Sequence, residues 1–215
     1  MKRNNFLKEN TLHNDQGIME KYFPEINWIK NNKLRKKVST VWAVALEESN
    51  FENLNDVGKE FFPKFSIIEH IRSVTNMSMA IFESLKEIFP DLVREIDKDT
   101  LIAGALCHDV GILFERDPIN KKKWSENISL MGNPALRHPV YGVSIALRLD
   151  LPLRIVHIIG AHSPEGELIQ RSLECSIVHH ADYLWWEIFA RKEFNKPAHH
   201  EKYFFGDTAE YYMNH

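Results

Sequence analysis

Thiols are scarce in this chain. Two of its 215 residues are cysteine, Cys107 and Cys175. Both lie in apolar surroundings and form no C-x-x-C pair, so neither a disulfide framework nor a cysteine-based structural zinc site is available. They read as reduced core residues, which suits a cytoplasmic protein. No uninterrupted apolar run approaches the roughly 20 residues that a membrane-crossing helix needs, and the opening Met1-Lys2-Arg3-Asn4-Asn5 leads into no apolar signal region. Neither sign of charge is in large excess. With 27 Lys plus Arg against 30 Asp plus Glu, the formal net charge of -3 gives no reason to expect a nucleic acid polymer or an anionic membrane as the main partner. Internal repeats, low-complexity tracts and convincing strand runs are missing too. What remains, 44% hydrophobic and 27% charged residues, is ordinary for a globular protein with one sizeable core.

The apolar residues that are present repeat with helical spacing. Ile29, Leu34, Val38, Val41, Trp42, Ala45 and Leu46 fall three or four apart and predict an amphipathic helix over 26–49, with Lys33 to Lys37 as its solvated face. Ser66 and Glu69 match the S-x-x-E capping box, so a helix is expected to start there and to carry Ile67, His70, Val74, Met77 and Ile81 on one inward stripe until Pro90 ends it. Asp97 and Asp99 are candidate caps for a helix over 100–110. Pro139 and Pro152 are suited to the first turns of two more, and 168–191 reads as a long final helix with His179 and Asp182 three apart on one face. The polar segment 114–133 reads as a long loop of the kind that often forms a lid or binding loop. The fold is expected to be all-α. Residues 1–60 would form an N-terminal arm and helix packed on a body of 61–195, with 196–215 as a tail.

Eleven histidines are the one compositional oddity. An apolar run, Leu101 to Leu106, ends in Cys107-His108-Asp109-Val110-Gly111, which puts an imidazole and a carboxylate side by side where burial without partners would be costly. His70, His138, His162 and Asp182 lie likewise at helix ends or on inward faces. Side chains of this kind, converging from separate helices, are how a metal site is built in a helical bundle. Imidazole and carboxylate without thiolate suit iron, manganese, nickel, cobalt or zinc. Six such ligands exceed the needs of one ion and suggest two divalent transition-metal ions with a carboxylate between them.

The order of these elements resembles the HD superfamily of metal-dependent phosphohydrolases. His108-Asp109-Val110-Gly111 is similar to its core motif and His138-Pro139-Val140-Tyr141-Gly142 to its H-P-x-x-G helix start. Ala161-His162-Ser163 is similar to the histidine that closes a helix in its binuclear members, and His180-Ala181-Asp182-Tyr183 to its final A-D segment. The likeness runs over about 66–190 and implies an HD-domain helical bundle with an N-terminal helical extension. It implies that His70, His108, Asp109 and Asp182 hold one metal. Asp109, the catalytic candidate, would bridge to a second, held also by His138 and His162. A hydroxide shared by the two metals would attack a small phosphorylated molecule or nucleotide.

One departure stands out. Where many of these hydrolases carry a phosphate-reaching lysine after His-Asp-x-Gly, this chain has Ile112, Leu113 and Phe114. Lys121, Lys122 and Lys123 are the candidate replacements for substrate binding. Otherwise the reacting group is not an ordinary phosphate ester. The same ligands also occur in di-iron oxygenases of this fold, and a non-catalytic metal sensor is the third reading. His179 is a candidate substrate contact or a donor that orients a ligand. His180 is expected to pack, and Trp185, Trp186 and Phe189 to be core and surface aromatics. Glu165 and Glu167 read as solvated turn residues. His13, His157, His199, His200 and His215 are assigned nothing.

Overall fold

The structure, a computed structural model, describes residues 17–59 and 66–194, with backbone only at 190, 193 and 194. The part of the expected N-terminal arm before residue 17, residues 60–65, residue 195, the expected tail 196–215 and the histidines at 13, 199, 200 and 215 lie outside the described residues. The regular elements of the described residues are all helices, joined by turns, with no strand among them. No helix among them is long and apolar enough to cross a membrane.

A short helical stretch, 17–22, and a 3-10 turn, Pro24–Trp28, lead into α1 (Asn32–Glu47), α2 (Ile67–Ile88) and α3 (Lys98–Cys107). Next come three short helices, α4 (Ile112–Glu115), α5 (Pro118–Glu126) and α6 (Ile128–Met131). They are followed by α7 (His138–Arg148), α8 (Leu153–Ala161) and the long α9 (Leu173–Phe194). The core runs without a break from Met19 to Ala181.

At its centre is α3. Every residue from Thr100 to Cys107 is buried, so it has no polar stripe and must be surrounded on all sides. It packs against α1, α2, α8 and α9. Its N-terminus is capped by Asp97, which accepts from the Thr100 amide at 2.7 Å. Its last carbonyls have no helical partner. The Trp42 indole donates to the Leu106 carbonyl at 2.9 Å, and His108 Nδ1 donates to the Ala105 carbonyl at 2.7 Å. Asp99 faces outward from the first turn and accepts from the Lys30 and Asn31 amides, at 2.9 and 2.8 Å. That contact fastens the N-terminal extension, whose Phe23, Ile26 and Ile29 are fully buried.

The structure shifts several sequence expectations. The helix expected over 26–49 starts only at Asn32, because Asn31 caps it by accepting from the Lys33 and Leu34 amides. The capping box at the head of α2 forms, with Glu69 accepting from the Ser66 amide at 2.7 Å. The buried stripe of α2 holds His70 and Val74 as expected, together with Ile68, Ile71, Thr75, Ser78, Met79 and Phe82. Ile67, Met77 and Ile81 are its half-buried flank. The final helix starts at Leu173, after a 3-10 turn over Pro164–Leu168. The expected long loop over 114–133 is mostly helical. Asp117 caps α5 by accepting from the Ile119 and Asn120 amides, Pro118 opens the first turn, and Trp124 anchors it from below against Phe114.

Gly111 brings the turn after α3 against the first turn of α7. A Cβ there would overlap the His138 carbonyl oxygen and stand 2.7 Å from the Gly142 nitrogen. Backbone atoms cannot yield as a side-chain tip does. Gly111→Ala is therefore expected to cost about 3 kcal/mol or more in a denaturation titration, because α7 must move. Gly17→Ala, where a Cβ meets nothing, is expected to change stability by less than about 0.5 kcal/mol. Equal stability for the two variants would show that α7 is not held by this contact.

Candidate metal centre

Each of the six candidate ligands is carried to one place by a helix terminus or a buried helix face. His70 lies in the first turn of α2, and His108 and Asp109 follow the last turn of α3. His138 opens α7, His162 closes α8 and Asp182 sits on the inner face of α9. All six are at least 95% buried.

The two oxygens of Asp109 face different histidine pairs. Oδ2 lies 3.3 Å from His70 Nε2 and 3.7 Å from His108 Nε2, while Oδ1 lies 3.1 Å from His138 Nε2 and 3.3 Å from His162 Nε2. Asp182 Oδ1 adds to the first set, 3.2 Å from His70 Nε2 and 3.8 Å from His108 Nε2. Within each pair the imidazoles meet through the same atom, His70 Nε2 to His108 Nε2 at 3.2 Å and His138 Nε2 to His162 Nε2 at 3.3 Å.

The outer nitrogens decide what those inner atoms are. His108 Nδ1 donates to the Ala105 carbonyl, and His162 Nδ1 donates to the Ile159 carbonyl at 3.0 Å. A carbonyl only accepts, so the proton is on Nδ1 and the lone pair of Nε2 points into the cluster. His138 Nδ1 is oriented in the same way by Glu115 Oε2 at 3.0 Å. Asp182 Oδ1 is buried with no hydrogen bond. Lone pairs crowded together with a bare carboxylate oxygen are what a divalent cation satisfies. Among the described residues the groups able to hold an ion are His70, His108 and Asp109; His108, His162 and Asp182; and Asp109, His138 and His162.

Electrostatics follow from this crowding. Burial works against charge on His70, but Asp109 and Asp182 outweigh it and raise its pKa to about 9. Burial pushes His108 down to about 4. The carboxyls of Asp109 and Asp182 are held below the usual range despite burial, because imidazoles surround them.

Glu115 is a participant that the sequence reading missed. It accepts from the His138 backbone amide, from His138 Nδ1 and from Arg137 Nη1 at 2.6 Å. Arg137 Nε donates in turn to Glu165 at 2.9 Å, and Glu165 accepts from the buried Ser163 hydroxyl. Glu165 lies in an exposed turn, as read, and in addition holds Arg137, while exposed Glu167 pairs with Arg171. His179 sits behind His162 and donates from Nδ1 to its carbonyl. His180, expected to pack, is exposed instead. His157 Nε2 accepts from the Ser172 amide, away from the cluster.

Two openings meet at the ligands. One, about 410 Å³ including solvent at its mouth, is lined by Val57, Gly58, Ser66, Ile67, His70, Asp109, Ile112, Arg116, Trp185 and Trp186. The other, about 330 Å³, is lined by Asp109, Ile112, Glu115, Arg116, Arg137, His138, Asp182 and Trp186. Lys121, Lys122 and Lys123 line neither opening. They lie on α5, where Lys122 faces Glu126 in solvent. His179 lines neither opening either. The cations that do line them are Arg116 and Arg137. Trp185 and Trp186, read from the sequence as ordinary aromatics, flank His70 with ring centroids at 4.4 and 5.4 Å. The signal was present: they stand three and four residues after Asp182, on its face of the helix.

An all-α bundle whose helix ends gather histidines and aspartates defines a class of metal-ligating helical domain. The HD domain family model matches residues 67–186, more than half of the chain, and the chain belongs to the HD domain family. It is 31% identical over 117 residues to the dihydroneopterin 2',3'-cyclic phosphate phosphodiesterase of Methanocaldococcus jannaschii. That match covers 54% of this chain and 44% of the relative, so the chain spans less than half of that protein's length. No solved structure matches.

Glu115 gives this centre a test that needs no turnover. Removing its carboxylate leaves His138 and Arg137 without their acceptor. Glu115→Ala is expected to destabilise the metal-free protein by about 3 kcal/mol and to weaken manganese uptake about 10–100-fold in calorimetry. Burial alone would raise its pKa, but His138 and Arg137 lower it from 4.5 to about 2. Its contribution is therefore full above pH 4.5 and is lost as the pH falls towards 2. The gap in thermal midpoint between wild type and Glu115→Gln is expected to close over that window. A gap that stays constant would remove the ion pair from the explanation.

Proposed function

We propose that the chain is a metal-dependent phosphohydrolase that binds two divalent transition-metal ions (iron, manganese, nickel, cobalt or zinc) and acts on a small phosphorylated molecule. The observation that carries this reading is the division of Asp109 between two histidine pairs. A carboxylate with each oxygen aimed at its own set of imidazole lone pairs is suited to bridging two cations. Similarity to a phosphodiesterase over half of the chain supports phosphoester chemistry. The two free, buried cysteines fit a reducing compartment, the cytoplasm.

When bound, the ions would supply Lewis acidity and an activated water for attack at phosphorus. The protein's own part is to hold them and to position the ester. Asp109 and Asp182 bring the negative charge that neutralises the cations. Arg116 and Arg137 line the approach and suit the phosphoryl oxygens. Arg137 is held there by Glu115 and Glu165. Arg116 answers the departure at position 112. Its amide bonds to the Ile112 carbonyl at 2.8 Å, one helical turn on, so its side chain leaves from the same face as the missing lysine would. Arg116 therefore takes the role first assigned to Lys121, Lys122 and Lys123.

The test is metal loading followed by turnover. Protein stripped with chelator and reloaded with manganese or ferrous iron is expected to release phosphate or alcohol from generic phosphoesters without oxygen. Turnover that requires both iron and oxygen would instead identify an oxygenase, and metal binding with no turnover on broad panels a sensor. Asp109→Ala is expected to lose both ions in elemental analysis, with activity falling at least about 10³-fold. His138→Ala is expected to lose one ion and remain folded, because its helix is still held by buried Ile145 and Ala146. Full occupancy in Asp109→Ala would end the bridging role.

A further inference from the structure

We propose that the opening beside His70 is a subsite for a flat, uncharged ring, so that the ester bound at the cluster carries an aromatic or heteroaromatic group. This rests on the phosphohydrolase reading and names its substrate class. The first observation is the chemistry of the walls. Val57, Ile67 and Ile112 are apolar, and Trp185 and Trp186 are apolar except for their indole N–H groups. Apart from His70 and Asp109, the other polar side chains among the described lining residues are Ser66 and Arg116. Ser66 already donates its hydroxyl to Glu69. A flat ring would cover the apolar parts of these walls, whereas a sugar or polyol would exchange water for few partners there. A diphosphate chain would find no second cation among those residues.

The second observation is the order of the aromatic wall. Trp185 stands edge-on to His70 at 71° and stacks on Phe189 at 5.2 Å and 16°. Trp186 meets Trp185 at 89° and 4.9 Å. Indoles held on several sides offer a surface at little further entropic cost. The third observation is connectivity. Asp109, Ile112, Arg116 and Trp186 border both openings. A phosphoryl group at Asp109 and Arg116 thus has Trp186 and Ile112 immediately alongside, and the ring it carries would lie between the Trp186 and Ile67 walls.

Non-hydrolysable phosphonates test the subsite without turnover. Manganese-loaded protein is titrated with 1-naphthylmethylphosphonate and with methylphosphonate, followed by calorimetry and by tryptophan fluorescence. The naphthyl probe is expected to bind at least about tenfold more tightly and to quench the fluorescence. Trp186→Ala is expected to shrink that ratio to about twofold, and Trp186→Phe to keep most of it. Should Trp186→Ala not fold, Ile67→Gln on the opposite wall is expected to lower the same ratio. Equal binding of the two probes to wild type, no binding of the naphthyl probe at millimolar concentration, or a ratio unmoved in the folded wall variants would overturn the subsite. If the binding preference holds while 1-naphthyl phosphate is not hydrolysed, the ring subsite stands and the hydrolase reading falls.

Discussion

A carboxylate buried among imidazoles is the constraint on which this structure turns. Asp109 is 5% exposed and lies within 3.7 Å of four histidine Nε2 atoms drawn from four helices. Such a group is tolerable only when positive charge or a cation meets it. In the described chain the histidines supply part of that compensation, visible in the raised pKa of His70 and in the lowered pKa of Asp109. The outer nitrogens of His108, His138 and His162 are fixed by acceptors, so the inner lone pairs cannot turn away. The arrangement could take up a cation without turning those rings.

The rest of the fold holds this point still. A helix without a polar face, α3, can exist only where other helices wrap it, and its C-terminus then projects His108 and Asp109 into the centre of the molecule. Trp42 closes the helix end, Asp99 ties down the N-terminal extension, and Gly111 lets α7 approach until His138 faces Asp109. Glu115 joins the turn after α3 to the head of α7, and Glu165 and Ser163 carry the same network to the segment after His162. The second histidine pair is thus braced by charge, whereas His70 of the first lies against the tryptophans of α9. That asymmetry separates the two openings, one polar around Arg137 and one apolar around Trp185.

Much of this was legible in the sequence, and the illegible parts share a physical cause. Helices were readable where apolar spacing and caps agreed, as at Ser66-x-x-Glu69 and around Pro139. The convergence of the six candidate side chains was readable because most of them stand beside a short motif at a helix end. The short helices after Gly111 were hidden by polar composition, since they are organised by Asp117 capping and by the single anchor Trp124 rather than by a stripe. The run at 121–123 drew attention as a cluster of cations, yet α5 leaves Lys122 and Lys123 exposed and none of the three lines an opening. Arg116 and Arg137 reach the site from positions with no periodic signal. Glu115 was missed because its partner His138 is 23 residues away. On α2, His70 and Val74 are buried as read, while Ile67, Met77 and Ile81 are half-buried at the edge of the core.

The central claim is that the six side chains share cations across Asp109, and anomalous X-ray scattering locates such ions directly. Crystals soaked in manganese and measured on the two sides of its absorption edge are expected to show two peaks flanking the Asp109 carboxylate. One should lie towards His70, His108 and Asp182, and the other towards His138 and His162. No anomalous peak within bonding reach of Asp109, or peaks only at surface carboxylates, would contradict it.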